Sequence, residues 1–557
     1  MEQFKPKILS AMKSYSKEQF RNDMIAGIIV AIIALPLSIA FALGAGVSPE
    51  KGIYSAIISS FIVAILGGSR VQITGPTGAF IIITQSIIAS YGLEGLMISM
   101  VMAGIMLLLM GAFQLGKLIK YIPTPITIGF TAGIGVTIFT LEIKDFLGLI
   151  MDRMPANFIG KWSTYFSHFR EINWQSILLG TLCIIILVIW PKINTVIPNS
   201  LIAIIVGTLV SFFFHFDVKT LGDIPKTLAM PPLPNLSLET VFRLIQPAFT
   251  ISILVAMQAL LSAVVTDGLT NKKHNANMEL IAEGIANIVL GFLGCIPATG
   301  GVARSIANVK NGGKTPIATI FHGITLFLFL ILCMPLLRYV PLCVLSAILI
   351  VVAYNMINVK AFILYLKAPK SDFVVLLASC ILTFAFDLVL AIEVGMVLTC
   401  ILFMKRMSDT ADVYGWKYID IKESESKDAL KYELDDEDEP ENDSLKQVPA
   451  YTQVFEISGP MFFGVSDKLI SIPKEIRKDT KTVILRMSRV TALDFTALNA
   501  IRLMYNKFQK NGITLIFSHV MDQPASVMKK AGFINEIGYE NFCDSIHAAL
   551  ARAEEIG

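Results

Sequence analysis

The stretch VQITGPTGAFIIITQS, residues 71–86, and its counterpart IPATGGVARSIANVKN, residues 296–311, decide the fold. Each reads as a few extended residues, a knot of Gly, Pro, Thr and Ala, and then an apolar run with helical spacing. Each also sits among hydrophobic segments long enough to span a bilayer. Lipid offers no partner to an open N–H or C=O, so a backbone break at membrane depth survives only where protein or a watery cavity covers it. A pair of such breaks in corresponding positions of two halves marks a transporter's binding site. The two stretches are therefore read as half-helices whose N-termini meet near the midplane. Unpaired N–H groups and the positive ends of two helix dipoles would favour an anion there.

Composition agrees with a membrane setting. The chain has 557 residues, of which 54% are hydrophobic and only 16% charged, and its mean hydropathy is +0.66. That is too apolar for a soluble protein of this size and predicts a polytopic α-helical membrane protein. The formal charge of +3 comes without a basic patch carrying interleaved aromatics, which argues against nucleic acid as a partner. Cys183, Cys295, Cys333, Cys343, Cys380, Cys400 and Cys543 are scattered without a C-x-x-C pair, and the histidines show no ligand spacing. They read as core residues, so no metal and no cofactor are expected. Residues 1–22 are polar and lack the pattern of a cleaved signal, which leaves the first hydrophobic segment as its own insertion signal.

Hydrophobic segments fall at 24–44, 52–67, 71–90, 94–114, 123–141, 174–190, 197–214, 247–266, 277–295, 297–311, 315–336, 340–355, 372–388 and 389–405. That is about fourteen spans. Both broken stretches are among those shorter than the roughly 20 residues a straight span needs, as half-helices completed by extended chain should be. With the N-terminus inside, the cytoplasmic loops hold Lys5, Lys7, Lys13, Lys17, Arg21, Lys117, Lys120, Lys192, Lys272, Lys273, Lys310, Lys314, Lys360, Lys367, Lys370, Lys405 and Arg406. The short outer turns are nearly bare of basic residues, so both termini are expected in the cytoplasm. The break at Val71 then runs outward and the one at Ile296 inward, with seven spans on each side of loop 215–246. This is an inverted repeat, about 23–214 and 247–407 within a transmembrane domain of 23–407. Pro36 falls mid-span and is expected to kink the first helix. Residues 408–449 form an acidic linker, and 450–557 form a cytoplasmic α/β domain. Its strand-like runs TQVFEISG, TVILRMSRV and ITLIFSHV alternate with helical patterns at 466–478, 496–510, 523–532 and 540–554.

The order of features resembles the SulP family of anion transporters, sulfate permeases whose membrane domain is a 7+7 inverted repeat and whose C-terminus is a STAS domain. The resemblance rests on LPLSIAFALGAGVSPEKGIYSA, GGSRVQITGPTGAF, YIPTPITIGFTAGIG, ALLSAVVTDGLTNKKHNANMELIAEGIANI and ATGGVARSIANVKNGGKTPIA, and in the soluble part on FEISGPMFFG and VTALDFTAL. It implies a secondary transporter of small anions such as sulfate, bicarbonate, chloride or C4-dicarboxylates, working by alternating access and as a homodimer. It places the anion between the first helix, the two broken segments and the eighth span. Carried over, that names Leu37, Ser38, Phe41, Thr77, Gly78, Gln258, Ser262, Ala303, Arg304 and Ser305. In soluble relatives of the STAS domain a corresponding turn carries a phosphorylated Ser, which makes Thr496 the matching hydroxyl and Asp494 its neighbour. Either of the two can equally cap the helix starting there. The STAS-like domain also implies a possible cytoplasmic protein partner.

The residues also carry readings of their own. An Arg at the centre of a span costs about +2.5 to +3.5 kcal/mol on insertion scales, so Arg304 faces a polar cavity or pairs with a carboxylate or backbone carbonyls. Thr77 and Ser305 offer hydroxyls to an anion or cap their half-helices. For Asp267, Glu283, Asp387 and Glu393, helix pairing and proton relay both stand. Gln258 departs from the resemblance, since family members driven by sodium or protons tend to have Asp or Glu there. Gln cannot change charge, so uptake is expected to depend little on a proton gradient; strong dependence would point to Glu283 or Asp387. Two other readings compete. A nucleobase carrier shares the fold but typically has carboxylates at the site and lacks a STAS domain. A membrane-anchored STAS sensor would not need two opposed broken helices.

Overall fold

The computed structural model describes residues 5–117, 123–151, 158–194, 197–222, 237–385, 388–410, 412–415, 451–462 and 476–556, with positions 155, 231, 448, 449, 469, 472 and 473. Asp387, the acidic run at 422–446 and most of the helix expected at 466–478 lie outside the described residues, as does the side chain of Glu393. The chain divides into two compact units, residues 1–399 and 400–557.

The first unit is helical. Its first repeat comprises α1 (Lys17–Gly44), α2 (Pro49–Leu66), β1 (Thr74–Gly75), α3 (Ala79–Ala112), α4 (Thr124–Phe146), α5 (Trp174–Ile193) and α6 (Asn199–Phe213). The second comprises α7 (Leu238–Thr270), α8 (Ala276–Phe292), β2 (Thr299–Gly300), α9 (Val302–Lys310), α10 (Pro316–Leu337), α11 (Leu342–Ile357), α12 (Lys370–Ala385) and α13 (Leu388–Thr410). Helix α3 is broken at Gly92, whose φ of 69° is the left-handed region that glycine tolerates. This break separates the apolar runs at 71–90 and 94–114. Among the described helices, seven are long and apolar enough to cross a membrane, and Asn199–Phe213 and Pro316–Leu332 are shorter apolar helices. Helix α1 stays helical through Pro36.

Helix packing repeats the internal symmetry. α10 packs on α1 and α2, as α3 packs on α7 and α8; α11 packs on α5, as α4 packs on α12; α4 and α11 pack on each other. Each contact has its counterpart when the two halves are exchanged. The densest joint, α3 against α8, is made possible by two facing glycines. A Cβ on Gly104 would lie 2.6 Å from the Gly284 carbonyl oxygen, and one on Gly284 would lie 2.8 Å from that of Gly104. Small residues let backbones approach where lipid supplies no hydrophobic drive to association.

The second unit carries a five-stranded sheet in the order β3 (Asp412–Gly415), β4 (Thr452–Ser458), β5 (Thr482–Arg489), β6 (Thr514–Ser518), β7 (Phe542–Cys543), parallel except for β3. Alternation along the strands sorts the apolar residues onto two faces. Phe455, Leu485 and Phe517 pack with Leu498, Ile501 and Phe508 of α14 (Phe495–Lys510) and with Phe533. Val454, Ile484 and Ile516 pack with Ile546, Ala549 and Ala553 of α15 (Ile546–Ile556). The three long strands and α14 match the sequence reading, whereas β3 and β7 were not foreseen. Both are short, too short for an alternating pattern to show.

Candidate functional site

The two broken stretches pair with each other. Thr74 lies opposite Gly300 and Gly75 opposite Thr299, antiparallel, so the same Thr-Gly dipeptide from each half meets its copy. Two residues per strand leave much backbone unpaired, and buried polar groups need partners. Side chains supply them. Asn287 donates to the Ala298 carbonyl at 2.9 Å and accepts from its N–H at 3.0 Å. Ser55 does the same for Ile296, at 2.9 and 3.1 Å. Asn308 donates to the Val71 carbonyl at 2.9 Å, Thr319 to that of Gln72 at 2.8 Å, and Ser60 to that of Thr74 at 3.1 Å.

Beyond the strands the half-helices begin, and like α2, α4, α6 and α11 they lack the side-chain caps that close α1, α7, α8 and α10. Ser16 and Gln19 close a capping box on α1, Ser237 caps α7, Asn275 caps α8 and Thr315 caps α10. Neither α3 nor α9 has a side-chain cap; Gly78 and Gly301 stand at those positions. The N–H groups of Ala79 and of the first turn of α9 therefore keep the capacity to bind a ligand, whereas those of Phe80 and Ile81 already donate to the Thr77 and Gly78 carbonyls at 3.1 and 3.2 Å. This corrects the capping alternative for both hydroxyls. Thr77 donates instead to Gln258 Oε1 at 2.8 Å, while Ser305 accepts from the Ile73 N–H at 3.0 Å and from Ser262 Oγ at 3.1 Å.

Arg304 is 4% exposed and lies over Gly75 of β1 and over Gly301, the residue that follows β2. Its Nη2 donates to the Pro76 carbonyl at 2.7 Å, and its Nη1 is buried without a partner. A Cβ on Gly75 would overlap Nη1, and one on Gly301 would lie 2.6 Å from Nε, so both glycines are needed for the guanidinium to lie there. The carbonyl pairing expected as one reading of Arg304 is therefore present, together with one free N–H direction. Phe41 is buried, and its Cε1 lies 3.5 Å from where a Cβ on Gly78 would sit. Ser38 is buried with its hydroxyl unpartnered, Leu37 is half-buried, and Ala303 is exposed. The ten residues thus come from α1, the two breaks and α7, and hydrogen bonds join Thr77 to Gln258 and Ser262 to Ser305. Asp267 is tied to His274, whose Nδ1 lies 2.7 Å from Oδ2. In the second unit Asp494 caps α14 by accepting from the Ala497 N–H at 2.7 Å, and Thr496 is exposed. Sequence reasoning missed Asn287, Asn308, Gln72 and His322. Polar residues inside apolar runs were the available signal.

The sulfate permease family model matches residues 20–379 and the STAS domain model residues 445–549. The chain belongs to the sulfate permease family. Among its relatives, YvdB of Bacillus subtilis (strain 168), assigned to sulfate transport provisionally, is 35% identical over 96% of this chain and 97% of its own. The bicarbonate transporter BicA of Picosynechococcus sp. is 28% identical over 87% of both chains. The solved transmembrane domain of a cyanobacterial BicA covers 69% of this chain and 98% of its own, at 26% identity and a TM-score of 0.62. The murine Solute Carrier 26 family member A9 anion transporter, solved facing inward, covers 99% and 94% with a TM-score of 0.85. At 18% identity it shows that the fold is shared.

Proposed function

We propose that this sulfate permease family member is a secondary transporter of small anions across the cytoplasmic membrane, carrying sulfate or another inorganic anion such as bicarbonate or chloride by alternating access. The observation that carries this reading is the pair of half-helix N-termini left without side-chain caps beside a guanidinium with an unpartnered Nη1. Two dipole ends and one cation fix the sign of the ligand's charge and favour oxygens that accept hydrogen bonds. The anion sits between α1, α7 and the two breaks. There Thr77 and Gln258 orient it, Ser262 and Ser305 support the second half-helix, and Phe41 closes over Gly78. The names of the relatives support anions as the class. C4-dicarboxylates, which also present anionic oxygens, are the further candidate substrates.

Movement follows from the packing. α1–α3 and α7–α10 carry the strand pair and the site, while α4–α6 and α11–α13 form the second body against which they slide or rock. About fourteen crossings follow from the hydrophobic segments, and both termini in the cytoplasm from the distribution of Lys and Arg. Purified full-length protein in proteoliposomes should take up radiolabelled sulfate or bicarbonate, with unlabelled chloride or succinate as competitors. Absence of flux for every anion, with ligand binding intact, would turn the reading toward the sensor.

A further inference from the structure

Around the strand pair, α2, α8 and α10 contribute polar side chains that anion binding does not use. Glu283 on α8 is fully buried. Its Oε1 accepts from Gln72 Nε2 and Thr74 Oγ1, both at the long distance of 3.4 Å, and its Oε2 has no partner. Gln72 Oε1 and His322 Nε2 are likewise buried and unpartnered, as is Arg304 Nη1. The His322 tautomer follows from its neighbour. Ser60 has a single proton, which goes to the Thr74 carbonyl, so His322 Nδ1 donates to Ser60 Oγ at 3.0 Å and Nε2 is a bare acceptor. One turn before Glu283, Glu279 is fully buried and its Oε2 takes the N–H groups of Gly68 and Ser69 at 2.6 and 2.8 Å, an arrangement that suits a carboxylate.

The charged groups near Glu283 are Glu279, one turn before it on α8, and Arg304, whose guanidinium lies against Gly75, next to the Thr74 that donates to Glu283. Two carboxylates against one guanidinium would bury a net negative charge, which is costly in a dry interior. One proton removes it and gives Glu283 an O–H to offer to bare acceptors such as Gln72 Oε1. We infer that Glu283 is a proton-binding site coupled through Arg304 to the anion. The carboxylate takes a proton from hydronium, one O–H bond forms and water leaves, with nothing oxidised or reduced. Ionised Glu283 competes with the incoming anion for the charge of Arg304; protonated Glu283 does not. Proton and anion therefore bind cooperatively, each raising the other's affinity by the same factor. The sequence expectation of weak proton dependence rested on Gln258 alone, and Glu283 is a second, buried carboxylate that it did not weigh as the primary site.

This inference rests on the anion-carrier reading, and two readouts separate their failures. In proteoliposomes at clamped membrane potential, an inward proton gradient should speed wild-type sulfate uptake severalfold. Glu283→Gln should lose that response, and Glu283→Asp should recover part of it. In detergent, the pH-difference infrared spectrum of the full chain should show a protonated-carboxyl band that Glu283→Gln removes. A wild-type proton response that persists in Glu283→Gln, or an unchanged infrared band, overturns the inference. No flux of sulfate, bicarbonate or chloride in the wild type sinks the anion-carrier reading, and the infrared titration then decides Glu283 by itself.

Discussion

Arg304 does two jobs with one guanidinium, and its substitutions should separate them. Arg304→Ala removes a charge-assisted donor worth about 1.5–3 kcal/mol, so anion affinity should fall roughly tenfold or more. It also leaves the buried Pro76 carbonyl without its partner, at a cost of about 1–3 kcal/mol in stability. Arg304→Ala should therefore lower the melting temperature measurably as well as weaken binding. An anion-induced thermal shift reports both effects, because ligand binding to the folded state adds to a baseline that has already moved. Gly75→Ala makes the complementary test. It keeps the charge and displaces Nη1, so it should weaken the anion-induced shift much as Arg304→Ala does. A wild-type shift in Gly75→Ala would mean that Arg304 does not touch the ligand. Gln258→Glu places a titratable group on Thr77, and its ionised form should repel the anion. Uptake by this variant should fall as pH rises, measured against wild type over the same range.

At the scale of elements, each break survives in an apolar setting because side chains replace the missing ladder. Asn287 satisfies both backbone groups of Ala298, and Asn287→Ala strands an N–H and a C=O together. The expected loss is about 1–3 kcal/mol for each stranded group, read as a lower melting temperature and a weaker response to anion, since β2 sets where α9 begins. If Asn287→Ala melts like the wild type, other partners hold the break. The joint of α3 with α8 is the second sensitive element. Gly104→Ala would push a Cβ to 2.5 Å from Ile288 Cγ1 and 2.6 Å from the Gly284 carbonyl oxygen. A shift of either helix should cost about 1–3 kcal/mol. These partnerships were not legible beforehand. Nothing local ties Asn308 to Val71, 237 residues away, or Thr77 to Gln258, 181 residues away.

At the scale of the molecule, the membrane unit and the STAS unit are separately compact, each with its own apolar core. Deleting residues 450–557 should leave a membrane domain that inserts and still shows an anion-induced thermal shift. Loss of insertion would make the soluble unit part of the fold. The two-fold correspondence of helix contacts also bears on movement. Because the proposed site residues lie on α1, α7 and the breaks, a crosslink between Gly44→Cys on α1 and Glu142→Cys on α4, where a Cβ on Gly44 would lie 3.5 Å from Glu142 Oε1, should stop transport without abolishing anion binding. Persistent flux in the crosslinked protein would contradict motion of one body against the other.

The sequence by itself determined the membrane class, the approximate places of the apolar segments, the two breaks and the separate α/β unit. Each of these is set by local composition and periodicity: apolar runs need lipid or core, glycine and proline knots end helices, and alternating residues make strands. Only the tertiary structure decided which groups meet. The register of Thr74 with Gly300, the hydrogen bond of Thr77 to Gln258 and the free Nη1 of Arg304 depend on atoms brought together from distant segments. So does the burial of Glu283, with two long hydrogen bonds to Oε1 and an unpartnered Oε2. A sequence records that a carboxylate lies within a span; its solvation and neighbours, which fix its charge and therefore its use, exist only once the two halves have packed.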